Sequence, residues 1–170
     1  MLNVLRHRWL GVLALLAAST VGSIAIAPTA IAQTLKQDSL DGVDCTVIED
    51  RLVQSDCHHI QALDAQDQGE LQAAIASYTL AIQANPRSGD SYYNRGVAYY
   101  DMGNINRAIE DYTNAIAINS QDEDAFYNRG LARYDQGDIQ GAIADFNAAL
   151  RINPNASDAQ GWLEYIDYYH

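Results

Sequence analysis

The chain is poor in positive charge. Its 170 residues carry 10 Lys and Arg against 22 Asp and Glu, and Lys36 is the only lysine. A surface of that balance repels phosphate backbones and anionic head groups, so nucleic acid and electrostatic lipid binding are disfavoured and basic partners are favoured. Cysteine is nearly absent too: Cys45 and Cys57 stand alone, with no Cys-x-x-Cys and no lipid-attachment cysteine after the apolar N-terminal run. There is no Ser/His/Asp grouping, no metal-spaced histidine pair and no phosphate loop. These absences argue against an enzyme, and no cofactor or metal is expected.

What the chain does have begins with a leader. Arg6 and Arg8 precede an uncharged run from Trp9 to Leu35 whose centre, Leu10–Ala18, is strongly apolar, and Pro28 is followed by Ala30-Ile31-Ala32. That order matches a secretory signal at 1–32 with cleavage after Ala32. An uncleaved anchor is the rival, since Trp9–Ala27 approaches the roughly 20 residues that span a bilayer. Under either reading the basic start leaves the rest outside the cytoplasm, in a periplasm or a thylakoid lumen. Cleavage leaves eight bases against 22 acids, a net of −14, and no stable membrane insertion.

The body repeats itself every 34 residues. Aligning 89–122 with 123–156 gives 16 identities, among them Tyr93-Asn94-Arg95-Gly96 with Tyr127-Asn128-Arg129-Gly130 and Ala108-Ile109-x-Asp111 with Ala142-Ile143-x-Asp145. A weaker copy at 55–88 keeps Gly69, Ala74-Ile75, Tyr78, Ala81-Ile82 and Asn85-Pro86. Such a period signals stacked units that cannot bury their apolar faces alone. Each copy splits at a glycine: Tyr92, Gly96 and Tyr99 share one helical face, then Ile105, Ala108, Ile109, Tyr112, Ala115 and Ile116 recur at three- and four-residue steps. Gly103 suits the left-handed residue closing a first helix, and Asn104 suits the start of a second. Gly96 and Gly130 are expected to let Ala108 and Ala142 approach, with Tyr112 and Phe146 filling the remaining space. The lead-in at 33–54 carries the Asp41-Gly42 turn and a short apolar stretch from Val43. The last segment, 157–170, places Trp162, Leu163, Ile166 and Tyr169 at helical spacing. It reads as a cap, while its tyrosines also suit a sticky patch.

Outside the cytoplasm Cys45 and Cys57 are expected to form a disulfide pinning the lead-in to the first helix. His58 and His59 beside them raise a metal or thiol-redox alternative. Neighbouring residues on a helix diverge by about 100°, so two partly exposed helix histidines are the simpler reading.

Glycine at the eighth place, aromatics at the eleventh or twelfth and the twenty-fourth, alanine at the twentieth and twenty-seventh, and Pro86 and Pro154 at the thirty-second resemble the tetratricopeptide repeat. Ser120 replaces that proline once, and the first copy departs most, with Ala62 for glycine and His58 for a large apolar residue. The resemblance covers 55–156. It implies an all-α fold: a short α-solenoid of about three helix-turn-helix units with a C-terminal capping helix. The Tyr-Asn-Arg-Gly tetrad is similar to repeats common in cyanobacterial proteins.

The resemblance also implies a concave groove on the first helices that binds a partner segment. Here it would present Asp90, Tyr93, Val97, Tyr100 and Asp101, then Asp124, Tyr127, Leu131, Tyr134 and Asp135, with Asn94 and Asn128 at the rim. Leu63, Gln66 and Asp67 extend it on the weaker copy. Tyrosine offers apolar area with a hydroxyl, asparagine can hold a bound backbone, and the aspartates would select Lys or Arg. Alternatively the tyrosines pack between repeats and the aspartates form a solvated face. Chaperone-binding members hold a carboxylate with Lys, Asn and Arg, whereas the matching places here are His59, Leu63, Asn94, Asp124 and Asn128. Only Asn94 fits. Arg95 and Arg129 appear together with Asp111 and Asp145, while the first copy has Gln61 and Ser77, which suggests a pair joining the helices of a unit. The expected function is a non-enzymatic adaptor or assembly factor, with envelope redox or metal chemistry at Cys45, Cys57, His58 and His59 as the alternative.

Overall fold

A computed structural model describes residues 43–169. The leader at 1–32, the Asp41-Gly42 turn and the lead-in up to residue 42 lie outside the described residues. Seven helices follow one another, with no strand among the described residues: α1 Arg51–Asp67, α2 Leu71–Ala84, α3 Gly89–Asp101, α4 Ile105–Ile118, α5 Glu123–Gln136, α6 Ile139–Ile152 and α7 Ser157–Tyr169. Neighbours pack in sequence order, so α1/α2, α3/α4 and α5/α6 form three hairpins, and α7 lies on α6. None of these helices is long and apolar enough to cross a membrane.

The helix breaks follow from single residues. Gly69, Gly103 and Gly137 all take φ between 74° and 88°, a left-handed conformation that costs glycine nothing. At each, the next residue's N–H reaches back across the turn, as in Asp138 to the Arg133 carbonyl at 2.8 Å, closing the first helix. Repeats end on Asn85, Asn119 and Asn153. Their side-chain oxygens accept from the N–H groups of Arg87, Gln121 and Asn155 at 3.0–3.1 Å, so the asparagine itself makes the turn and the following proline can be lost at Ser120. Asn104 makes no side-chain cap, contrary to expectation, whereas Asp122 and Asp138 cap α5 and α6 through Ala125 and Gly141. Helix α1 begins at Arg51, four residues before the repeat, because Asp50 accepts from the N–H groups of Leu52 and Val53. Ahead of it, a short 3-10 turn at Cys45–Val47 is tied to α1 by the Cys45–Cys57 disulfide.

Each hairpin is filled by one buried ring: Tyr78, Tyr112 or Phe146. The close approach at the small residues is made to these rings. A Cβ on Gly96 would sit 2.8 Å from the Tyr112 ring, and one on Gly130 would sit 2.7 Å from the Phe146 ring. The ring is thus the nearest neighbour of the glycine. Gly130→Val is therefore expected to cost about 1–3 kcal/mol by overpacking, visible as a lower midpoint in urea; an unchanged midpoint contradicts this packing.

Paired charges bind the units together. Arg95 donates to Asp111 from Nε and Nη2 at 2.7 and 2.8 Å, and Arg129 does so to Asp145 at 2.9 and 2.7 Å. The spare Nη1 of each arginine reaches back to the preceding unit's second helix, on Thr79 or Thr113. The first unit lacks the pair, and its Gln61 instead donates to the Val43 carbonyl at 2.7 Å.

Candidate functional site

The first helices of the second and third units, α3 and α5, touch directly, and their side chains form a ladder across the seam. Asn128 donates to the Tyr93 hydroxyl at 3.0 Å and to the Asp124 carbonyl at 2.9 Å. Tyr100 donates its hydroxyl to Asp135 at 2.5 Å. Below them, Tyr93 tilts over Tyr112 and Tyr127 over Phe146, with ring centroids 5.9 and 5.8 Å apart. His59 meets Tyr78 edge to face at 5.4 Å. One outward ring per unit thus rests on the buried ring of its own hairpin.

The proposed groove residues divide accordingly. Asp90, Asp101, Asp124 and Asp135 are exposed, so the acidic rim is in water. Tyr93, Tyr100 and Tyr127 are half-buried; Tyr93 and Tyr100 bridge the seam, and Tyr127 rests on Phe146 of its own hairpin. Val97 and Leu131 belong to the packing between units. Asn94 is half-buried. Asn128 gives its amide N–H groups to the Tyr93 hydroxyl and the Asp124 carbonyl, which stiffens the ladder and leaves its amide oxygen as the group that could accept from a partner backbone. Gln66, on the weaker unit, accepts from the Tyr78 hydroxyl at 3.0 Å, which leaves Leu63 and Asp67 as the exposed part there.

Tyr134 departs most from its twin Tyr100. Trp162 and Tyr165 of α7 close on it, at centroid distances of 5.0 and 6.2 Å. The capping helix therefore turns the last rung of the ladder into a wall. Trp162 also stacks on Phe146 at 6.0 Å and 13°, Ile166 is buried, and Tyr165, Tyr168 and Tyr169 stay exposed. The segment caps the solenoid and carries an aromatic patch as well.

Burial and charge shift these phenols. Tyr93 is pushed up to about 12, first by burial and then by Asp124 and Asp122. Tyr100 also rises to about 12, through burial and then through the hydrogen bond it gives Asp135. Tyr78 and Tyr112 move further in the same direction, chiefly by burial. A phenol raised above its unfolded value of about 10 holds its full stabilisation below pH 10 and loses it as pH rises towards 12. Tyr78, Tyr93, Tyr100 and Tyr112 are thus expected to ionise only well above pH 10, with unfolding accompanying their ionisation. Phenolate absorbance followed beside helicity checks this; one uniform wave near pH 10 with helices intact contradicts it.

At the other end the disulfide and the histidines are built into the packing of the first unit. Cys45 and Cys57 are bonded to each other and sealed at 2% and 0% exposure among Val43, Ile48 and Ile60. Joined sulfurs are not the thiolates that bind a metal, and their burial keeps an attacking thiolate from the bond. His58 is buried rather than partly exposed, with Nδ1 on Gln61 Oε1 at 3.3 Å, because the lead-in folds over it. His59 Nδ1 lies 2.8 Å from the Ser91 hydroxyl of the next unit. Among the described residues no group of three or more His, Cys, Asp or Glu could hold a metal ion.

Comparison with known proteins follows the repeats. A model described as TPR repeat matches residues 67–103 and 98–137, and the tetratricopeptide repeat model matches 123–156. Among solved structures, the Arabidopsis OM64 TPR domain superposes with a TM-score of 0.68 at 25% identity, over 71% of this chain and 99% of that one. The first TPR of Spaghetti (RPAP3), solved bound to the HSP90 peptide SRMEEVD, gives 0.65 at 27% identity, over 74% and 94%. MamA gives 0.60 at 28% identity, over 75% and 69%. No curated protein matches the chain.

Proposed function

We propose, on the premise that this chain belongs to the tetratricopeptide repeat family, that it is a non-enzymatic adaptor or assembly factor acting outside the cytoplasm. It takes an extended partner segment carrying basic residues across the outward face of α3 and α5. The observation that carries this reading is the ladder itself: tyrosines fixed by Asn128 and Asp135 inside an exposed rim of Asp90, Asp101, Asp124 and Asp135. Rings held before binding lose little freedom when a partner arrives. The rim attracts cations and repels carboxylates, which sets this face apart from a surface suited to an acidic tail such as the SRMEEVD bound by the Spaghetti domain. Export is supported by the basic and apolar leader and by the buried disulfide, a bond that persists in oxidising compartments.

The test is affinity capture from the host's envelope fraction, comparing the chain with an Asp90→Asn/Asp101→Asn/Asp124→Asn variant of native helicity. Retention by the wild type of one complex with a basic segment, lost by the variant, is expected. Equal retention by both removes the rim from the account.

A further inference from the structure

Beside the ladder, α7 leaves a cleft of about 330 Å³ lined by Tyr127, Ser157, Asp158, Gly161, Trp162 and Tyr165. Trp162 and Tyr165 meet edge to face, with ring centroids 5.6 Å apart at 74°, and so make two walls of a corner. Gly161 is part of this lining, and nothing lies within 4 Å of the place its Cβ would take, so a larger side chain there would enter open space. A second hollow continues from Tyr127, Ser157 and Asp158 to Glu123 and Asp124. No Lys, Arg or His lines either hollow.

Aromatic faces attract cations through their ring quadrupoles, and a planar guanidinium can also stack on them while pairing with a carboxylate. We infer that the cleft between α5 and α7 is a subsite for one arginine side chain of the partner segment, stacked among Tyr127, Trp162 and Tyr165 with its charge facing Asp158. The inference rests on the interaction reading above and deepens it: it fixes where along the face a basic residue must fall. The segment runs over the Tyr93 and Tyr100 ladder and anchors at the C-terminal end, where α7 supplies the walls that no following repeat provides.

The probes are a short acetylated and amidated Gly-Gly-Arg-Gly-Gly peptide and its citrulline counterpart, which keeps the shape and drops the charge. Proton–nitrogen NMR of the full chain reads the Gly161 amide and the Trp162 indole, the latter assigned with Trp162→Phe. Saturable shifts at both groups are expected with the arginine peptide, with affinity at least about tenfold lower for citrulline. Asp158→Asn should weaken binding severalfold. Gly161→Leu should abolish it while melting no lower than wild type, since leucine fills open space and suits a helix better than glycine. Equal binding of citrulline, or full binding by the folded Gly161→Leu variant, overturns the subsite. Shifts confined to Tyr100 and Asp135 overturn it too and leave the ladder reading standing; no shift anywhere removes both.

Discussion

Asp145→Ala is expected to destabilise the fold by about 3–5 kcal/mol. The carboxylate is 3% exposed and serves two arginines: Arg129 through both Nε and Nη2, and Arg133 through Nη1 at 2.8 Å. Removing it leaves Arg129, its side chain 11% exposed, without a counter-charge in a largely buried place. Arg133 is 26% exposed and can turn towards water and Asp138, which lies 3.9 Å away, so the cost falls in the lower part of that range. Asp111 supplies the contrast. It faces Arg95 alone, and Asp111→Ala is expected to cost less. Urea unfolding of the two variants checks both magnitude and order; a loss below about 1 kcal/mol for Asp145→Ala, the size of a surface pair, contradicts the network. In a double-mutant cycle, Arg95→Gln and Asp111→Asn should be non-additive.

Cys45→Ala/Cys57→Ala is expected to lower stability by about 3 kcal/mol, the loop-closure value for a ring of this size. The bond joins positions 12 apart in sequence, and with it go the anchors of the lead-in: the Gln54 and Gln61 amides donate to the carbonyls of Cys45 and Val43. His58 then loses its cover, so the first unit is the one that frays. Hydrogen exchange should quicken in α1 and leave α5 and α6 unchanged. A variant as stable as the wild type would show that the first unit holds α1 without the bond.

The 34-residue period made the architecture readable, because each unit repeats the residues that terminate and fill it. Gly69, Gly103 and Gly137 recur at one offset because the same turn needs the same left-handed residue. The pairing of Arg95 with Asp111 was legible because the first copy lacks both partners at once. Periodicity along a helix does not say how close the partner comes, and the nearest approach to Gly96 and Gly130 is the ring of Tyr112 or Phe146. It is equally blind to the ends of an array. Tyr100 and Tyr134 are twins in sequence, yet Tyr100 faces the next unit's Asp135 and Tyr134 faces Trp162 and Tyr165. The burial of His58 escaped for the same reason, since its cover comes from a non-repeating segment.

The central claim is that the outward face of α3 and α5 selects a basic segment. Calorimetric titration of the chain with an extended arginine- and lysine-containing peptide, and separately with SRMEEVD, tests it most directly. The basic peptide is expected to bind with an affinity that weakens with added salt and is lost on neutralising Asp90, Asp101 and Asp124, with no heat from SRMEEVD. Tighter binding of SRMEEVD than of the basic peptide would contradict it.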